Sequence, residues 1–168
     1  KHPELDKFIT HHIGIGGEIL EALLITAFGL VTLAGGFLFW KLGSVPAAKA
    51  LLLPLIVTGL IYSAIGISMY ISNQKRLTEY EQNYKLDSLS FIKAEKQRVE
   101  NFQYMYVISK VVATVFFAVT LLLFWFTKNP GLHALGIGLT LFALTGLVVD
   151  YFSQERAEIY YQAILKFI

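Results

Sequence analysis

The chain has no cysteine. Disulfides, thiolate metal centres and cysteine nucleophiles are therefore excluded. Charge is scarce as well. Asp, Glu, Lys and Arg make up 15% of the 168 residues, against roughly 25% in an average soluble domain. The charges nearly cancel, leaving a formal +2, too little to expect nucleic acid as a partner. The Glu-x-x-His pairs of a di-iron bundle do not occur. No histidine falls in the middle of an apolar run, where haem would need one, and no Ser–His–Asp arrangement is legible. The polar first residues lack a small-residue cleavage pattern, so no cleavable signal peptide is expected.

Long apolar runs fill the space these absences leave. Apolar residues make up 55% of the chain and the mean hydropathy is +0.58. A membrane span needs about 20 apolar residues, because the hydrocarbon layer is about 30 Å thick. Four runs qualify: 22–40, 51–72, 111–126 and 132–149. They lack period-2 alternation, so helices rather than strands are expected. The expected fold is an all-α integral membrane protein, with four transmembrane helices in an up-down-up-down bundle. The expected helices are 18–41, 50–84, 91–127 and 131–165. "KLGSVPAAK" and "TKNPG" read as tight connections, broken by Pro and Gly. Between spans two and three, residues 73–104 are rich in Glu, Lys, Gln and Leu, which favour helix. They read as extensions of both spans beyond the bilayer, turning at "KLDSLS" (85–90).

Eleven of the 14 Lys and Arg lie in the N-terminal segment, this long connection or the C-terminal tail. The positive-inside rule then predicts cytoplasmic termini and arms in a multi-pass protein of a bacterial-type inner (plasma) membrane. Trp40 and Trp125 mark the opposite interface. Eight of the nine tyrosines, all but Tyr62, fall on the basic side, as an aromatic belt would have them. Segment 1–13 has Leu5, Phe8, Ile9 and His12 at helical spacing and reads as an amphipathic interfacial helix. "GIGG" (14–17) then serves as a hinge into the first span.

The two halves are alike in places. "VTLAGGFLFWK" (31–41) resembles "VTLLLFWF" (119–126), and "TGLIYS" (58–63) resembles "TGLVVD" (145–150). A two-hairpin internal repeat would place a pseudo-two-fold axis along the membrane normal. The competing explanation is that span–tight loop–span sequences look alike by composition.

Residues three or four apart share a helix face. His11, Gly14, Glu18, Glu21 and Ile25 form one stripe, and Asn73, Arg76, Tyr80, Tyr84 and Asp87 a second. A third holds Glu95, Arg98, Phe102, Met105 and Ser109. The fourth holds Gly146, Asp150, Ser153, Ala157 and Tyr160, with Arg156 beside it. In an antiparallel bundle the four stripes share one level. Ionisable groups near hydrocarbon are costly unless paired or hydrated. The expectation is a polar vestibule formed by Glu18, Glu21, Asn73, Arg76, Tyr80, Glu95, Arg98, Asp150, Arg156 and Tyr160. The plainer alternative is that these are solvated residues flanking the spans. His11, His12 and Glu18 form a candidate site for a single divalent metal, imidazole and carboxylate suiting zinc or iron. No other cofactor is indicated.

Small residues (Gly59, Ser63 and Gly66 in the second span, Gly29, Gly35 and Gly36 in the first, Gly136 and Gly138 in the fourth) let helices approach closely. They also suit a homo-oligomer. Three functions compete. The first is a transporter or channel subunit for a small ion or solute, with Glu18, Glu21 or Asp150 as carriers. The second is an accessory, regulatory or immunity-type protein acting through the charged arms. The third is a membrane enzyme for a lipid or amphiphilic substrate, its arginines gripping a phosphate or carboxylate of an anionic lipid. The lipid bilayer is the expected common partner.

Overall fold

The structure, a computed structural model, describes residues 15–165, without the side chains at 15, 77, 78, 80–85 and 88. These residues form five helices, and among them there is no strand. They are α1 (Ile15–Leu42), α2 (Pro46–Ala50), α3 (Leu52–Leu86), α4 (Ser88–Phe126) and α5 (Pro130–Leu165). Among the described residues, four stretches are long and apolar enough to cross a membrane: Gly16–Leu42, Pro46–Arg76, Leu89–Phe126 and Pro130–Leu165. The chain has the build of a multi-pass membrane protein. At helical rise the 39 residues of α4 extend about 58 Å, roughly twice the hydrocarbon thickness. One end of α4 therefore projects beyond the bilayer.

The breaks between helices follow local chemistry. Pro46 starts α2, where a missing N–H costs nothing. "KLGSVPAAK", expected as a tight connection, thus contains a helical turn that leads almost directly into the second span. The turn at "KLDSLS" is one residue long. Asp87, extended, accepts a hydrogen bond on Oδ1 from the Ser90 amide at 3.2 Å and caps α4. It is therefore a cap rather than part of the polar stripe of α3. Asn129 does the same for α5, accepting from the Gly131 amide at 2.8 Å. Gly16 and Gly17 lie inside the first turns of α1 and do not form a hinge themselves. Gly14 and the interfacial helix expected over 1–13 lie outside the described residues.

Two antiparallel hairpins carry most of the packing. In the first, α1 and α3 meet backbone to backbone. A methyl group added at Gly59 would lie 2.7 Å from the Gly29 carbonyl oxygen, and one at Gly66 would lie 2.6 Å from the Thr26 amide. Glycine in a helix costs about 1 kcal/mol relative to alanine. Here it gains close van der Waals contact that lipid tails cannot match. The second hairpin, α4 with α5, is joined by larger groups. Phe91, Ile92, Val99, Tyr160 and Ile164 form an apolar cluster near its projecting end. Near the other end the Thr120 hydroxyl donates to the Gly136 carbonyl at 3.0 Å, and His133 stacks on Phe124.

The likeness of the two halves finds no support in this packing. Gly59 faces its own hairpin partner, while its counterpart Gly146 faces the Tyr62 hydroxyl of the other hairpin.

Candidate functional site

The hairpins meet along a looser seam, where α5 lies against α2 and α3. Tyr62 of α3 fastens its middle. The residue is 4% exposed, and its hydroxyl donates to the Phe142 carbonyl of α5 at 2.6 Å. Its ring meets Phe28 edge-on at 5.5 Å and packs on Phe142 at 5.1 Å.

Towards the charged end, a cavity of about 280 Å³ opens among α1, α3, α4 and α5. Seven of the expected vestibule residues line it: Glu18, Glu21, Asn73, Arg76, Arg98, Arg156 and Tyr160. Each arginine meets a carboxylate. Arg76 Nη1 donates to Glu18 Oε2 at 2.9 Å, joining α3 to α1, and to Asn73 Oδ1 at 3.1 Å. Arg156 of α5 donates to Glu21 Oε2 of α1 and, at 3.2 Å, to the Gly17 carbonyl, so its fork spans the two hairpins. Arg98 grips Glu95 one turn away in α4, through Nε at 3.0 Å and Nη2 at 2.9 Å. Glu95 lies just behind the lining, where its Oε2 also accepts from the Tyr160 hydroxyl at 3.3 Å. Fork geometry of this kind is the strong form of charge-assisted hydrogen bond.

Asp150 stands one turn below Ser153, outside the lining. Its Oδ2 is buried and has no hydrogen-bond partner, and the same holds for Glu21 Oε1 and Ser63 Oγ. Tyr80 belongs to α3, but its side chain is not described. His11 and His12 lie outside the described residues, and Glu18, their expected partner at a metal, is paired with Arg76. Among the described residues, no three His, Asp or Glu side chains gather closely enough to hold a metal ion.

One face of the site is not legible from helical spacing. The third stripe runs through Val99, Phe102 and Tyr106, which line the cavity, and not through Met105, which does not. The Tyr106 hydroxyl lies 3.2 Å from Ser153 Oγ and joins α4 to α5. After Phe102 the face advances by four residues, a choice that spacing alone leaves open. Tyr62 does carry a signal, because it is the tyrosine that the interfacial belt leaves out.

Past Tyr62 the seam opens again. A second hollow of about 540 Å³ is lined by apolar groups that include Leu53, Val57, Ile61, Phe116, Leu139 and Phe142. On α3 this hollow ends at Ile61 and the polar cavity begins at Met69. On α5 the corresponding residues are Phe142 and Ser153. The Tyr62 layer lies between them.

No family model, no characterised protein and no solved structure matches this chain.

Proposed function

We propose that the protein is a transporter or channel subunit for a small ion or solute, and that the seam between its hairpins is the path. One observation carries this reading: two hollows share the seam from opposite ends, with the buried Tyr62 between them. In-membrane carboxylates with buried, unpartnered oxygens also support it, since such groups are costly and mark ion or substrate paths by default. Tyr62 is the gate in this reading. Its hydroxyl-to-carbonyl bond closes the seam, and breaking it joins the polar cavity to the apolar hollow. The basic end faces the cytoplasm of a bacterial-type inner membrane, in keeping with the excess of Lys and Arg there. Copies of the chain associate through their remaining small-residue and apolar faces, and anionic lipid gathers at the basic end.

Proteoliposome flux tests the reading, with entrapped dyes reporting protons, sodium and small organic ions. The intact protein raises at least one flux above that of empty vesicles. Tyr62→Phe removes one hydrogen bond, about 1 kcal/mol, and raises that flux severalfold. Asp150→Asn lowers it. Fluxes equal to those of empty vesicles, or unchanged in both variants, rule the reading out.

A further inference from the structure

The unmet bonding in the seam has a sign. Among the described residues, three buried side-chain atoms lack a partner: Glu21 Oε1, Asp150 Oδ2 and Ser63 Oγ. The two carboxylate oxygens can only accept hydrogen bonds when ionised. Ser63 lies against Gly29, inside the first hairpin, which leaves Glu21 and Asp150 for the seam. Glu21 is 7% exposed, lines the cavity and uses only its other oxygen on Arg156. Such an acceptor, with no protein donor, costs free energy unless water or a bound N–H donor meets it.

The formal charges agree. Facing this space from α1 are Glu18 and Glu21, and from α3 Arg76. Arg98 and Tyr106 face it from α4, with Glu95 just behind, and Arg156 and Tyr160 face it from α5, with Asp150 one turn below. Among these described residues four carboxylates stand against three arginines. Arg76, Arg98 and Arg156 each hold a carboxylate, and among the described residues Asp150 is the one without an arginine partner. A single positive charge closes the balance among the described residues.

We propose that the cavity binds an organic ammonium ion. Its N–H groups donate to Glu21 Oε1, and Asp150 balances its charge from one turn below the wall. A space of about 280 Å³ is far more than a bare monovalent metal ion fills. The walls suit an apolar body, with Met69, Val99, Phe102 and Tyr106 among the lining groups. Phe102 and Tyr106 meet edge to face at 5.6 Å, and ring faces attract cations. An anion would instead meet an acceptor with no donor to offer, beside arginines already engaged.

The inference deepens, and rests on, the reading of the seam as a solute site, but it does not require transport. It is tested by equilibrium binding to the full chain in detergent at fixed ionic strength. The probes are n-butylammonium, tetramethylammonium, butyrate and sodium. Butylammonium binds saturably at one site, while tetramethylammonium, which has no N–H, binds at least about tenfold more weakly, the worth of one charged hydrogen bond. Glu21→Gln weakens butylammonium binding but also frees Arg156 and puts the fold at risk. Asp150→Asn, which breaks no pair, is therefore the deciding variant: affinity falls about tenfold or more with unchanged melting. The inference is overturned if butylammonium does not saturate, if butyrate or sodium binds as tightly, or if Asp150→Asn binds normally. Saturable binding without flux would remove transport and keep the site. Flux without ammonium binding would do the reverse.

Discussion

The two hairpins share a topology and differ in what holds them. In the first, α1 and α3 touch through Gly29, Gly59 and Gly66, with almost no side chain between the backbones. In the second, α4 and α5 are clasped by Phe91, Ile92, Val99, Tyr160 and Ile164 near the projecting end. The surrounding solvent explains the contrast. Within a bilayer a leucine gains little by leaving lipid for protein, so close approach and dispersion decide the contact. Beyond the bilayer, water drives large apolar groups together. The seam between the hairpins has such a close approach at its far end, where a methyl on Gly138 of α5 would lie 2.5 Å from Pro54 Cβ of α3. It is held by Tyr62 in the middle and by the bond of Arg156 to Glu21 at the charged end, and cavities remain on both sides of Tyr62.

The strongest way to break this comparison is to enlarge a hairpin contact or empty one. Phe91→Ala should cost about 3 kcal/mol. Hydrogen exchange should rise in 88–104 and 157–165 and stay unchanged in 20–40. If exchange rises equally in both hairpins, the two are not independently held. Gly66→Ala places a methyl 2.6 Å from the Thr26 amide and should cost about 2 kcal/mol, a typical overpacking penalty. Gly35→Ala is its control, since nothing lies within 4 Å of the added methyl. It should be neutral, or stabilise by up to about 1 kcal/mol through helix propensity. Unfolding in mixed micelles reads both, and equal losses would remove the role assigned to close approach.

The smallest expected effect lies at the tip joining the hairpins. The Ser90 hydroxyl and amide hold the Asp87 carboxyl below the usual carboxylate range. The folded value is the depressed one, so the cap contributes fully above the ordinary carboxylate range. Its contribution fades as pH falls through the folded value. Exchange at the first amides of α4 should therefore rise on acidification, relative to the same amides in Asp87→Asn, whose cap does not titrate. Identical pH profiles in the two proteins would show that the carboxylate has no part in the cap.

Much of this architecture is legible in the residues themselves. Apolar runs close to the length a bilayer needs mark the four spans, and "KLDSLS" marks the tip, although spacing puts its aspartate in a polar stripe rather than at a cap. Helical spacing also places Glu21, Arg76, Arg98 and Arg156 on inward faces. Pairing is not legible, because it depends on how helices are rotated against one another. Spacing alone does not show that Arg98 takes Glu95 within its own helix while Arg156 reaches across to α1. The step from Phe102 to Tyr106, rather than to Met105, is hidden for the same reason. Gly16 and Gly17 mislead because glycine permits a bend without requiring one, and here Gly17 gives its carbonyl and its open side to Arg156.

The central claim is that two dry hairpins enclose a hydrated polar cavity at the charged end of their seam, and the lack of cysteine makes it directly measurable. Single substitutions can be probed in intact membranes with a water-borne thiol reagent, which reacts only with a hydrated thiolate. Ser153→Cys and Ala157→Cys, on the cavity wall, should label readily, and faster with a cationic reagent than with an anionic one. Ala22→Cys and Thr32→Cys, buried in α1, should stay unlabelled. Silence at Ser153→Cys and Ala157→Cys, or equal labelling at all four positions, would contradict the account.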